Sequence, residues 1–194
     1  IILEPVMRNT APCILYASLK IKKQNPDAIM VVAPSDHWIE DEVQFCSNLQ
    51  YAFDFCERDE NLMTLGILPT FANTGYGYIE FDKLDSRPIK KVKQFREKPD
   101  YATARKFIQS RNFLWNAGIF VWSAKSVLKA YEEFQPVMYD HFMNGYEALN
   151  TPKEEAFIKD NYPLAQNISV DYAILEKAQN VYVLPATFDW NDLG

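Results

Sequence analysis

Apolar positions along this chain alternate between helical spacing and short continuous runs. Asn9-Thr10-Ala11-Pro12 pairs a capping side chain with a proline in the first turn, which marks a helix start. Ile14, Leu15, Ala17, Ser18 and Ile21 then share one helical face as far as Asn25-Pro26. Residues 28–33 form an apolar run that predicts a buried strand, and residues 62–68 predict another. Between them, residues 41–57 predict an amphipathic helix with Val43, Cys46, Leu49, Phe53 and Cys56 on one side. This alternation of strand and helix implies a parallel sheet with helices on both faces.

The middle of the chain has a different rhythm. Gly75-Tyr76-Gly77-Tyr78-Ile79 and residues 89–95 predict strands joined by a polar connection. Asp100 caps a helix that runs to about Ser110, residues 113–122 predict a strand, and Ser123 caps the helix after it. Two more helical stretches lie between residues 137 and 160. Ser169 caps a short helix over residues 170–178, and residues 181–184 make a last core strand. The pattern is that of one α/β domain over residues 1–194, with an inserted, more antiparallel region around residues 70–120.

Composition narrows the function. The chain has 194 residues, enough for one domain with a proper core. Its formal charge is −6 and no Lys/Arg cluster stands out, which argues against a nucleic-acid surface. No apolar stretch approaches the roughly 20 residues that span a membrane, and no secretory signal is seen. Three cysteines without a C-x-x-C pair argue against a thiolate metal centre and a disulfide framework. Cys46 and Cys56 read as small core hydrophobes, and a reducing cytosol is the default compartment. The chain opens on a strand-like Ile1-Ile2-Leu3 and closes inside Asp192-Leu193-Gly194, so a fragment of a longer protein is expected.

Several segments carry candidate chemistry. The run over residues 28–33 ends in Pro34-Ser35-Asp36-His37, delivering a carboxylate to the sheet edge where open α/β sheets bind ligands. Asp36 there suits a hard cation such as Mg²⁺; an aspartate also serves as a turn or helix cap. Thr74-Gly75-Tyr76-Gly77 offers close backbone approach to a ligand, a left-handed turn, or a simple turn. In Phe95-Arg96-Glu97-Lys98-Pro99, Glu97 can accept from two sugar hydroxyls and Lys98 offers a point charge for phosphate. The alternative there is a surface ion pair. Asn116, set in Leu114-Trp115-Asn116-Ala117-Gly118, needs partners from the backbone or from a polar ligand. Phe188-Asp189-Trp190-Asn191-Asp192 brings a second pair of carboxylates, open also to turn chemistry.

With Glu4-Pro5, Arg8-Asn9-Thr10-Ala11-Pro12 and Ser169-Val170-Asp171-Tyr172-Ala173, these segments stand in the order found in mannose-1-phosphate guanylyltransferases, and the chain resembles that family over essentially its whole length. The resemblance implies a Rossmann-like, GT-A-like α/β fold with a mixed sheet flanked by helices. It implies transfer of GMP from GTP to mannose 1-phosphate, giving GDP-mannose and pyrophosphate, by in-line attack on the α-phosphate. Asp36 and Asp192 would be the catalytic pair holding Mg²⁺, or Mn²⁺. Gly75, Tyr76, Gly77, Glu97 and Asn116 would read the mannose ring, Lys98 would reach its phosphate, and Asp171 would lie close to the sugar pocket or support it. Arg8, Asn9 and Thr10, with Asp36, would face the nucleotide. A cytoplasmic location is implied, and a homodimer is compatible with it.

Two departures matter. The family's glycine-rich triphosphate loop has no counterpart here, and Met7 stands where the family usually carries glycine. This chain by itself is therefore expected to be a weak or inactive catalyst. The rival readings are the same reaction with another sugar and base, such as glucose 1-phosphate with UTP or dTTP, and a non-catalytic nucleotide-sugar-binding regulatory protein. A metal-dependent hydrolase on Asp36 and His37 is poorly supported, because His141 is the only other histidine.

Overall fold

The four longest helices each begin at a polar side chain that takes up a free first-turn amide. In the computed structural model, which describes residues 1–194, Asn9 accepts from Thr10 N at 2.8 Å at the head of α1 (Thr10–Gln24), and Asp41 accepts from Gln44 N at 2.9 Å at the head of α2 (Glu42–Cys56). Asp100 accepts from Thr103 N at 2.9 Å for α3 (Tyr101–Ser110), and Ser123 from Ser126 N at 3.0 Å for α4 (Ala124–Phe134). Two eight-residue helices follow, α5 (Pro136–Met143) and α6 (Glu154–Asn161). The strands are β1 (Ile29–Val32), β2 (His37–Ile39), β3 (Leu62–Ile67), β4 (Tyr78–Phe81), β5 (Lys90–Arg96), β6 (Phe113–Ser123), β7 (Val181–Pro185) and β8 (Trp190–Asp192). No helix is long and apolar enough to cross a membrane.

The chain forms two compact units. The first comprises residues 1–28 and 123–178 and is helical. Its interior is built from Ile14, Leu15 and Leu19 of α1, Val127, Leu128 and Tyr131 of α4, and Phe142 of α5, all buried. Tyr131 donates to Ala11 O at 2.7 Å, tying α4 to the first turn of α1. The helix expected over residues 170–178 is instead a wide turn, Asp171–Leu175, in which Glu176 N bonds Asp171 O. Val170 N is drawn to Thr10 Oγ1 (2.9 Å), and Ser169 Oγ stands 3.5 Å from Tyr172 N, too far to set a tight first turn.

The second unit comprises residues 29–122 and 179–194. Its sheet has the order β1-β6-β3-β7-β5-β4, with β4 also paired to β6. Only part of it meets the parallel expectation. β3 and β7 are parallel, whereas β3–β6, β5–β7, β4–β5 and β4–β6 are antiparallel, because β4 to β6 return the chain through the inserted region. β1 lies at the edge, so of the run read as a buried strand only Met30 is buried and Val31 is 43% exposed.

Helix α2 covers one face of the sheet. Ala52 and Cys56 bury against Met63, Leu65, Ala117, Ile119, Val121 and Leu184, with Phe45, Leu49 and Phe53 partly buried beside them. Full burial of a large apolar side chain contributes about 1.5–3 kcal/mol. The inner face is rotated from the one expected: Val43 is 80% exposed and Cys46 is exposed. The buried amide of Asn48 explains the rotation, since its Nδ2 donates to Thr187 Oγ1 (2.9 Å) and its Oδ1 accepts from Thr187 N (3.1 Å). Cys56 does join the core, and burial pushes its thiol up to about 12.

Candidate functional site

The site residues of the second unit fall in two clusters. The first lies on the ribbon of β2 and β8, where His37 stands opposite Asp192 and Ile39 opposite Trp190. Diagonal neighbours in an antiparallel pair share a face, so the Trp190 indole reaches His37. Its Nε1 donates to His37 Nδ1 at 3.0 Å, with the rings edge to face at 5.0 Å and 82°. Leu193 N donates to Asp36 O at 2.9 Å and draws the loop before β2 to the chain after β8. Asp36, His37 and Asp192 thereby present ligand atoms within 4.8 Å of one another.

Two carboxylates at that spacing suit a hard divalent cation, which takes one or two protein carboxylates and keeps water. Asp36 is not the cap of α2, a role taken by Asp41. Asp192 does make a turn bond, accepting from Gly194 N at 3.0 Å. A Cβ at Gly194 would overlap the Asp36 carboxylate. Asp189 is exposed and outside this group. Burial holds the His37 imidazole below its ordinary range, against the pull of Asp192 and Asp36.

The second cluster is built by a bulge. Thr64 pairs with Phe120 and Gly66 with Asn116, so three residues of β6 face one of β3. Gly118, inside the bulge, has φ 66°, the left-handed conformation that glycine adopts without penalty. A Cβ there would lie 3.3 Å from Pro34 Cγ, so the bulge backs the loop that carries Asp36. The bulge also aims Asn116, whose N donates to Gly77 O at 2.8 Å. Its Oδ1 accepts from Gly118 N (3.1 Å) and Thr64 Oγ1 (3.3 Å).

Gly77 is buried, and a Cβ on it would overlap the Glu97 carboxylate and sit 3.3 Å from Asn116 Cβ. Neither Gly75 nor Gly77 has a left-handed φ, so the requirement at Gly77 is close approach, not conformation. Gly75 N donates to Asn73 Oδ1 (2.7 Å), and the Tyr78 hydroxyl bonds both Asn73 N (3.1 Å) and Asn73 O (2.8 Å), which fixes this loop. The Glu97 side chain is 12% exposed and that of Lys98 is 61% exposed, with Nζ 3.6 Å from Glu97 Oε1. The ion pair is therefore present, but its acid is turned inward.

Tyr76 joins the clusters. Its ring meets Trp115 at 5.2 Å and Trp190 at 5.4 Å, both edge to face. Burial, then the charge of Asp192, raises its phenol. Trp190 and Thr64 are site residues that sequence reasoning missed. The available signal for Trp190 was its place two residues before Asp192, on the same face of a strand.

Arg8, Asn9, Thr10 and Asp171 belong to the first unit. There the Arg8 guanidinium donates to Pro163 O, Asn9 caps α1 with φ 66°, Thr10 Oγ1 accepts from Val170 N, and Asp171 opens the wide turn. The bonds of Arg8, Asn9 and Thr10 tie together that unit's own backbone.

Against known proteins, the nucleotidyl transferase family profile matches residues 1–194. The chain is 36% identical to a mannose-1-phosphate guanylyltransferase of Salmonella muenchen and to the xanthan biosynthesis protein XanB of Xanthomonas campestris pv. campestris. Each alignment covers 100% of this chain and 41% of the relative, so the chain spans about two-fifths of the curated relatives it matches. Among solved structures it is similar to mannose-1-phosphate geranyltransferase from Thermus thermophilus, with TM-score 0.86 and 26% identity over 98% of this chain and 54% of that one. It is also similar to mannose-6-phosphate isomerase from Helicobacter pylori, with TM-score 0.82 and 26% identity over 98% of this chain and 74% of that one.

Proposed function

The chain belongs to the nucleotidyl transferase family, and from that premise we propose that it carries the sugar-nucleotide site of a mannose-1-phosphate guanylyltransferase. The reaction is transfer of GMP from GTP to mannose 1-phosphate. A phosphate oxygen of the sugar phosphate bonds to the α-phosphorus, the bond from that phosphorus to the bridging oxygen breaks, and pyrophosphate leaves. The observation that carries this reading is the convergence of Gly77, Glu97 and Asn116 on one spot, a glycine backbone beside an inward-turned acid and an amide. That set suits a ring of neighbouring hydroxyls, which donate to the carboxylate and accept from the amide nitrogen.

Little covalent chemistry falls to the protein in such a transfer; positioning and charge neutralisation dominate. Glu97 and Asn116 orient the sugar, Gly77 leaves room for the Glu97 carboxylate, and Lys98, largely exposed beside Glu97, offers its charge to the sugar phosphate. Asp36 and Asp192 fit a hard divalent cation, Mg²⁺ or Mn²⁺, which when bound neutralises charge on phosphate oxygens. Arg8, Asn9 and Thr10 are the candidate nucleotide contacts of the first unit. Exposed, unpaired Cys13 and Cys46 support a reducing compartment.

The test is the transfer itself, in the longest natural form of the protein that contains this chain. GTP with mannose 1-phosphate and Mg²⁺ should give GDP-mannose and pyrophosphate. Faster turnover of UTP with glucose 1-phosphate would move the assignment to a sister pyrophosphorylase.

A further inference from the structure

The imidazole of His37 stands beside the two carboxylates and offers itself as a third ligand, yet one hydrogen bond argues otherwise. An indole N–H only donates. Since Trp190 Nε1 lies 3.0 Å from His37 Nδ1, that nitrogen must present its lone pair to the indole. The neutral ring then carries its proton on Nε2. Nδ1 is occupied and Nε2 is protonated, so neither nitrogen has a free lone pair for a metal ion.

We propose that Trp190 is a positioning residue that fixes His37 as a neutral Nε2–H donor beside Asp36 and Asp192, directed at phosphate oxygens and outside the cation's ligand set. The ribbon register holds this arrangement in place. His37 pairs with Asp192, Trp190 is its diagonal neighbour, and Tyr76 meets the indole edge to face at 5.4 Å. A donor that enters with no change of protonation supplies a hydrogen bond to an anionic oxygen without reorganisation. The inference rests on Asp36 and Asp192 as the carboxylates that hold the cation.

The test reads the ring directly. The chain has two histidines, so ¹⁵N-imidazole labelling gives two ring systems, and His37→Gln identifies one by its loss. His141 is an internal reference, with Nε2 2.8 Å from Asn161 O. Long-range ¹H–¹⁵N correlation should show a bare Nδ1 and a protonated Nε2 at His37, unchanged when Mg²⁺ is saturating, while the carboxyl carbons of Asp36 and Asp192 shift. A protonated Nδ1, or loss of the Nε2 proton on adding Mg²⁺, overturns the inference. Carboxyl carbons that ignore Mg²⁺ would instead overturn the cation reading, and the ligand-set half of this inference with it. Trp190→Phe keeps an aromatic ring and removes the N–H, and should bring in the Nδ1–H tautomer. Should that variant fail to fold, the wild-type spectrum still decides. In turnover, His37→Gln, which keeps an N–H donor, should stay within about tenfold of wild type, the size of one hydrogen bond, with KM for Mg²⁺ unchanged. His37→Leu should fall further, in kcat and not in that KM; equal losses in both variants would contradict the donor role.

Discussion

The backbone of Gly77 runs so close to the Glu97 carboxylate that a Cβ at position 77 would overlap it. Gly77→Ala must therefore displace Glu97, with Asn116 Cβ only 3.3 Å away on another side. Hydrogen bonds to a charged group contribute about 1.5–3 kcal/mol, so binding of mannose 1-phosphate should weaken by about tenfold or more. Titration calorimetry on Gly77→Ala and Glu97→Gln should give losses of similar size.

Gly118 and Pro34 connect the bulge in β6 to the loop bearing Asp36. At φ 66°, Gly118→Ala costs about 1–2 kcal/mol from backbone strain, before its contact with the Pro34 ring. For a chain of this size, the melting temperature should fall by about 2–8 °C. Gly118→Asn should lose less, because asparagine tolerates the left-handed region. Scanning calorimetry of the two variants checks the order.

Removal of one carboxylate should separate Asp36 and Asp192 from Asp189. Asp36→Asn and Asp192→Asn should each weaken Mn²⁺ binding by about tenfold or more. Asp189→Asn, at an exposed residue outside the group, should leave it unchanged. Electron paramagnetic resonance of free Mn²⁺ gives all three constants.

Burial lowers the His37 pKa below its ordinary value of 6.5. Between the folded and unfolded values the unfolded chain binds more protons, so stability rises with pH there. The contribution is complete above the unfolded value and is lost as pH falls through the folded one. Melting temperature followed from about pH 7.5 to about pH 5 should fall more steeply for wild type than for His37→Gln. Parallel curves would show that His37 contributes nothing to the slope.

Much of this architecture is legible in the sequence, where local chemistry decides it. Capping is settled within one turn, so Asp41, Asp100 and Ser123 are readable as helix starts. The face of α2 is not, because Asn48 turns inward for Thr187, 139 residues away. Cys46 then leaves the core that its spacing suggests. The wide turn at Asp171–Leu175 escapes for a similar reason, since Val170 N answers to Thr10.

The site divides along the same line. Glu97, Gly77 and Asn116 are singled out by residue type, but what gathers them is a bulge and a cross-strand register, both non-local. β2 and β8 have three residues each, too short for alternation to speak. With them the bond between Trp190 and His37 stays out of sequence reach.

The most direct measurement is titration of GDP-mannose with Mg²⁺ into this chain, with UDP-glucose as control. GDP-mannose should bind more tightly than UDP-glucose, and Glu97→Ala and Asn116→Ala should abolish that binding. Tighter binding of UDP-glucose, or GDP-mannose binding indifferent to both substitutions, would overturn the assignment of the sugar site.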